Sequence, residues 1–180
     1  MIYFTSDTHF NQQRTLELSH RPFDSVEHMN NILVQNWNNT VKQEDTVYHL
    51  GDFGDITYRD HLNGRIILII GNYELKDYTY SELNEYFDII EEPTEAVIGG
   101  HNFHLVHEPV NQHPHKFNLF GHIHKLQMVK KNGLNVGVDC HNFKPISLEE
   151  VLWYKNTIEN HYDINVFCES YSQRLKWINI

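Results

Sequence analysis

Cysteine is scarce in this chain of 180 residues: Cys140 and Cys168 are the only two. That density excludes a disulfide scaffold, and reduced thiols in a cytoplasmic setting are the simpler expectation. Positive charge is also short. The chain has 14 Lys and Arg against 24 Asp and Glu, a formal net charge of -10. Binding along a nucleic-acid backbone needs basic surface, so a long DNA or RNA partner is disfavoured. Small phosphate ligands stay open, because bound metal ions can supply the positive field. No apolar run approaches a membrane span of ~20 residues; "IILII" is five. The opening "MIYFTSDTHF" lacks the basic and apolar regions of a signal peptide. No repeat, low-complexity tract or linker is visible.

What is present is an ordinary globular composition, 40% hydrophobic and 21% charged, at a length that suits one domain over 1–180. One count stands out: 14 histidines, as many as Lys and Arg together.

The patterning predicts α/β structure. "MIYFTS", residues 46–50 and "GRIILIIGN" read as strands, the last apolar enough for burial on both sheet faces. "DSVEHMNNILVQNWNNTV" reads as a helix capped by Asp24 or Ser25, and "SELNEYF" as a shorter one. "DIIEE" is a further strand. Then the pattern becomes strand-rich, with hairpins about 99–102 and about Asn132-Gly133. "SLEEVLWYKNTIEN" reads as a late helix, with Ser147 and Glu150 as its capping box. The expected fold is two packed mixed β-sheets flanked by helices.

Five predicted strands end in polar residues of one chemical kind: Asp7-Thr8-His9, Gly51-Asp52, Gly71-Asn72, His107, and Gly121-His122-Ile123-His124. Ligands of α/β sheets bind at carboxyl ends of strands, so these groups could converge. Imidazoles and carboxylates together suit manganese, zinc, iron or nickel better than magnesium or calcium. Side chains spaced i, i+2 share one side of a strand and can reach the same ions, and preceding glycines let the backbone turn. A pair of metals roughly 3.5–4 Å apart can activate water and clamp a phosphate.

The order Asp-x-His, Gly-Asp, Gly-Asn-x-Glu, His, Gly-His-x-His resembles the calcineurin-like metallophosphoesterases, over roughly residues 1–150. The stretches "RPFDSVEHM" and "NVGVDCHNFKPISLEEV" look like small single-domain bacterial and phage members. The resemblance implies a four-layer sandwich and a centre of two divalent ions, manganese foremost. It implies Asp7, His9 and His124 on one ion, Asn72, His107 and His122 on the other, and Asp52 bridging. Glu74 matches an acidic position that orients rather than ligates. The implied activity is metal-dependent phosphoester hydrolysis.

Two positions depart from the family pattern. Tyr73 stands where relatives keep a histidine thought to protonate the leaving oxygen or help position it. Imidazole titrates near working pH, whereas a phenol titrates at about 10. Tyr73 is therefore a candidate hydrogen-bond donor to phosphate, a poorer acid, or an aromatic wall. Gln12 likewise replaces a second histidine of many small relatives. The expected substrate is a small, nucleotide-like phosphodiester, cyclic ones included, whose leaving group needs little protonation. The alternative is a metal-binding protein that captures a phosphate ligand without turnover.

Arg14 and Arg21 are the cations nearest the first motif and candidates for phosphate contact. His113 and His115 could touch substrate, although a solvated loop is the plainer expectation. His49 reads as a core residue or one that supports the ligands, His20, His28, His61 and His161 as surface residues, and Cys140 as buried and inert. Residues 161–180 carry too many apolar groups for a free terminus, which predicts packing on the domain or on a second copy. Both a monomer and a homo-oligomer are compatible with the sequence.

Overall fold

The computed structural model describes residues 1–160. The predicted packing of 161–180, His161 and Cys168 lie outside the described residues. Two five-stranded mixed sheets carry the fold. The first joins β1 (Ile2–Thr5), β2 (Thr46–His49), β3 (Arg65–Ile69) and β4 (Asp88–Ile90) in parallel, with β10 (Ile146–Ser147) antiparallel to β1. The second runs β5 (Thr94–Ile98), β6 (His101–Leu105), β7 (Asn118–Phe120), β9 (Gly133–Asn135), β8 (Val129–Lys130). Its central strands β6, β7 and β9 are parallel and its outer pairs antiparallel.

Alternation along the strands builds two cores. Tyr3, Val47, Ile66 and Leu68 face one way and pack with Met29, Leu33 and Trp37 of α2 (Val26–Thr40). Phe4, Leu50 and Ile69 face the other way, into the space between the sheets. There they meet Phe103, Leu105, Leu119 and Leu134, together with Val151 and Ile158 of α5 (Leu148–Asn160). Both faces of the first sheet are covered, which explains the unbroken apolar run of β3.

Ser25, rather than Asp24, caps α2 by accepting from the His28 amide. The Ser147–Glu150 box is reciprocal: Glu150 N–H donates to Ser147 Oγ (3.1 Å) and Ser147 N–H to Glu150 Oε2 (2.7 Å). Ser147→Ala should therefore lower stability by about 1 kcal/mol. For a chain of this length that is a melting-point fall of about 2–4 °C, readable by thermal denaturation. The second hairpin differs by one residue from its predicted turn. Gly133 pairs with Lys130, which leaves Lys131-Asn132 as the turn.

Three helices sit beside this frame. α1 (Gln13–Leu18) and the single turn α3 (Glu74–Asp77) were not legible in the sequence, whereas α4 (Tyr80–Tyr86) was, with Thr79 and Glu82 forming its capping box. The parallel strands of both sheets point their carboxyl ends to the same edge. Ser6 bridges Gly137 there, and Val138 N–H donates to the Ser6 carbonyl (3.0 Å), so the two sheets are joined where the polar strand ends emerge.

Candidate metal centre

Seven side chains predicted from the strand ends arrive at this edge. Asp7, His9 and His124 form one group whose ligand-type atoms lie within 4.8 Å of one another, and Asp52, His107 and His122 form a second. Each group could hold a metal ion. Asn72 joins the second through its Oδ1, 2.9 Å from His107 Nε2 and 3.1 Å from His122 Nδ1. Asp52 Oδ2 lies between the groups, 3.6 Å from His9 Nε2 and 3.3 Å from His107 Nε2. Its other oxygen accepts the Tyr73 amide at 3.1 Å.

The backbone route to this convergence differs from the simple strand spacing. Asp7, His9, Asp52, His122 and His124 adopt left-handed backbone, with φ of 58°, 50°, 58°, 70° and 49°. That conformation costs a non-glycine residue roughly 1–2 kcal/mol, and such strain gathers at functional sites. It coils each strand end so that alternate side chains reach one point. The glycines also act differently from expectation. Gly51 needs its positive φ of 87°. Gly71 and Gly121 are instead required by close approach: a Cβ on Gly71 would lie 2.8 Å from the Asp52 amide nitrogen, and one on Gly121 2.0 Å from Ser6 Oγ.

Hydrogen bonds indicate which ring nitrogen three of the four imidazoles present. His107 Nδ1 lies 2.7 Å from the Leu50 carbonyl, so it carries the proton and Nε2 faces the site. His9 Nδ1 pairs with Gln12 Oε1 at 2.7 Å, and His124 Nδ1 with Asp139 Oδ2 at 2.9 Å. Metal-bound imidazoles are held in this way by an acceptor on the far ring nitrogen. Among the described residues His9 Nε2 is buried without a hydrogen-bond partner, with Asp7 Oδ1 3.9 Å and Asp52 Oδ2 3.6 Å away. A buried nitrogen lone pair among carboxylate oxygens beyond hydrogen-bond reach fits a cation and little else.

The electrostatics agree. Burial pushes the His9 imidazole down to about 4, against the pull of Asp7 and Asp52, so its lone pair is free at neutral pH. Burial would depress His107 too, but the Asp52 hydrogen bond and the Asp7 and Asp52 charges raise it to about 10. Burial opposes ionisation of Asp52, yet the His107 hydrogen bond and charge, the His9 charge and the Tyr73 amide together outweigh it and hold the carboxyl below its ordinary value. The carboxylates thus create a field that demands positive charge.

Glu74 lies beneath the site. Its carboxylate accepts the Phe53 and Gly71 amides, each at 2.7 Å, and so clamps the loops that carry Asp52 and Asn72. Burial first, and then the Asp52 charge, raise its pKa. Tyr73 lines a cleft of ≈ 690 Å³ above the metal groups. Its ring is edge-on to His9 at 5.8 Å, with Lys76 Nζ 4.8 Å from its centroid, and its hydroxyl has no hydrogen bond among the described residues.

Arg14 reaches the cleft wall, as do Lys125, Leu18 and Leu126. His20, expected to be an ordinary surface residue, is exposed but lines this cleft as well. Arg21 does not reach it. Its guanidinium is buried against Asp139 and the Asp7 and Thr8 carbonyls, which corrects the expectation of phosphate contact. His113 and His115 stay in their loop and do not line the cleft. His49 is buried, with Thr8 Oγ1 3.0 Å from its Nε2. Cys140 is half-buried rather than buried, and desolvation pushes its thiol up to about 11.

Asp139 was missed in the sequence. Burial opposes its ionisation, but His124 and Arg21 hold its pKa down to about 2. The available signal was Gly137-Val138-Asp139, a sixth strand end with a glycine and an acid.

No family model matches the chain. The uncharacterized protein MJ1445 of Methanocaldococcus jannaschii is 33% identical over 171 residues, covering 84% of this chain and 89% of the relative. The crystal structure of AQ665, a protein of unknown function from Aquifex aeolicus, is similar over 85% of this chain and 98% of its own, at 28% identity and TM-score 0.69. A novel archaeal phosphodiesterase is similar over 76% of this chain and 81% of its own, at 21% identity and TM-score 0.44.

Proposed function

We propose that this chain, which belongs to the same family as the Methanocaldococcus jannaschii protein MJ1445, is a dimetal-dependent phosphoesterase, with phosphodiesters favoured over monoesters. The observation that carries this reading is Asp52 Oδ2, set between His9 of one metal group and His107 of the other. That position would suit a bridging carboxylate. The motif order that resembles the calcineurin-like metallophosphoesterases supports the same assignment: Asp7, His9 and His124 for one ion, Asn72, His107 and His122 for the second, Asp52 for both. Manganese leads the candidates; zinc, iron and nickel suit the same donors. Two such ions, when bound, would polarise a phosphoryl oxygen and lower the pKa of water.

The protein's own groups do the remaining work. The Tyr73 amide holds one Asp52 oxygen so that the other faces both groups. Glu74 positions the two loops from below and touches no reactant. The Tyr73 phenol, on the cleft wall, donates a hydrogen bond to a phosphoryl or leaving oxygen. A cleft of ≈ 690 Å³ exceeds a bare phosphate and suits a small organic phosphate. Arg14 and Lys125 supply positive charge on its wall, and Leu18 and Leu126 apolar surface. A nucleotide-like diester, linear or cyclic, matches that lining. No described helix is long and apolar enough to cross a membrane, and the free Cys140 fits a cytoplasmic setting.

A phenol is a weaker match than imidazole for protonating a leaving group near pH 7. Aryl phosphodiesters should therefore be hydrolysed faster than alkyl monoesters when both are assayed with manganese. Preference for the alkyl monoester would sink the diesterase assignment. Tyr73→His should widen activity toward poorer leaving groups. The second reading, capture of a phosphate ligand without turnover, is favoured by Tyr73 itself; tight binding with no hydrolysis under several metals would establish it.

A further inference from the structure

Arg21 lies only 14 residues from Asp7 in sequence, but the fold turns it away from the cleft. Its side chain is 0% exposed. Nε donates to Asp139 Oδ1 at 3.0 Å and Nη2 to Oδ2 at 2.7 Å, a two-pronged pair. Nη2 also donates to the Asp7 carbonyl (2.6 Å), and Nη1 to the Thr8 carbonyl (3.0 Å). Asp139 Oδ2 in turn meets His124 Nδ1 at 2.9 Å.

We infer that the Arg21–Asp139 pair is a positioning device for one metal group alone: a single guanidinium fixes Asp7 through its backbone and His124 through Asp139, and makes no contact with the Asp52–His107–His122 group. This rests on the dimetal reading above. Asp7 and His124 both sit in left-handed backbone, φ 58° and 49°, which isolated residues avoid. Each therefore needs an external hold. Arg21 supplies it to Asp7 by accepting no alternative partner geometry: its planar fork matches a carboxylate and two carbonyls at once. Asp139 is an acceptor, so the His124 proton stays on Nδ1 and Nε2 is presented.

Two of the other three rings are held differently. His9 leans on the neutral Gln12 amide and His107 on the neutral Leu50 carbonyl. Among these three, only His124 has a carboxylate on the ring nitrogen that faces away from the site, and Arg21 cancels that charge. The device thereby strengthens one ligand without adding net negative charge beside the metal group. Partners of this kind are worth about 10–100-fold in metal affinity.

The test is a manganese titration of the full-length chain by calorimetry, with electron paramagnetic resonance to detect a coupled ion pair. The native chain should bind two equivalents. Asp139→Asn should keep one at native affinity and bind the other about 10–100-fold more weakly, with loss of the coupled signal at low manganese. Adding His122→Ala should then weaken the retained equivalent; if it stays intact, the assignment to the Asp7–His9–His124 group is wrong. Arg21→Lys, which keeps the charge and loses the fork, should weaken the same single equivalent. It carries the test alone if Asp139→Asn fails to fold around an uncompensated Arg21. Two unchanged equivalents in the variants, or equal weakening of both, would overturn the inference and leave the dimetal reading standing. A native chain that takes up no manganese, zinc, iron or nickel would overturn both.

Discussion

Asp52→Ala is expected to abolish metal-dependent hydrolysis of an aryl phosphodiester while leaving a folded chain. The expectation follows from where one oxygen sits. Asp52 Oδ2 faces His9 at 3.6 Å and His107 at 3.3 Å, so on the proposed dimetal reading its removal would take a ligand from both groups at once. Any other single ligand substitution disturbs one. Metal polarisation of a phosphoryl group is worth several kcal/mol; at about 1.4 kcal/mol per tenfold, the loss is roughly 10³-fold or more. The fold should tolerate the change, because removing Asp52 leaves behind no unpaired buried anion. His107 keeps the Leu50 carbonyl, and the raised pKa that Asp52 helps to cause falls back once the carboxylate is gone. The Tyr73 amide loses its acceptor, at a cost of about 1 kcal/mol. The assay is turnover with manganese alongside thermal denaturation. A folded variant with native turnover would remove Asp52 from the centre and the dimetal proposal with it.

The same site shows which parts of a fold are legible in a sequence. The ligand-type residues were visible because their chemistry is local: a strand, in three cases a glycine, then an acid, amide or imidazole within four positions. The two cores were visible because Tyr3 and Phe4, or Leu68 and Ile69, alternate between them. Arg21 and Asp139 were not visible, because their pairing spans 118 residues and exists only once β1 and β9 meet at the Ser6–Gly137 bridge. An arginine close to a candidate ligand motif reads naturally as a phosphate ligand; only burial reveals that it faces inward. Helix α1 escaped notice because it has six residues and no side-chain cap, so neither periodicity nor chemistry announces it. Yet it contributes Arg14 and Leu18 to the cleft wall. The glycines were legible as important but for a partly mistaken reason. Conformational freedom explains Gly51, while at Gly71 and Gly121 the missing Cβ is what matters.

Gly121→Ala should therefore produce a large combined loss of stability and metal binding. An added Cβ would stand 2.0 Å from Ser6 Oγ, 2.7 Å from Ser6 Cβ and 2.4 Å from Asp7 Oδ2. None of these neighbours is free to move. Ser6 is fully buried, with its hydroxyl donating to the Leu50 carbonyl at 2.9 Å. The Asp7 carboxylate accepts the His122 amide at 3.0 Å through both oxygens. The methyl group can be housed only by parting the β1 and β7 ends, beside the Ser6–Gly137 bridge that joins the two sheets. Overpacking of this kind costs typically about 1–3 kcal/mol, and a melting-point fall of about 2–4 °C accompanies each kcal/mol in a chain of this size. The site pays as well, because the shift is applied directly to Asp7. A second change separates the two effects. Ser6→Gly removes the Oγ and Cβ contacts but leaves the one with Asp7. Added to Gly121→Ala, it should recover part of the melting temperature and little of the manganese affinity. Recovery of both together would mean that Asp7 can yield to the methyl group and still hold its place; an unchanged melting temperature in Gly121→Ala would mean that the strand ends are not in the close contact described.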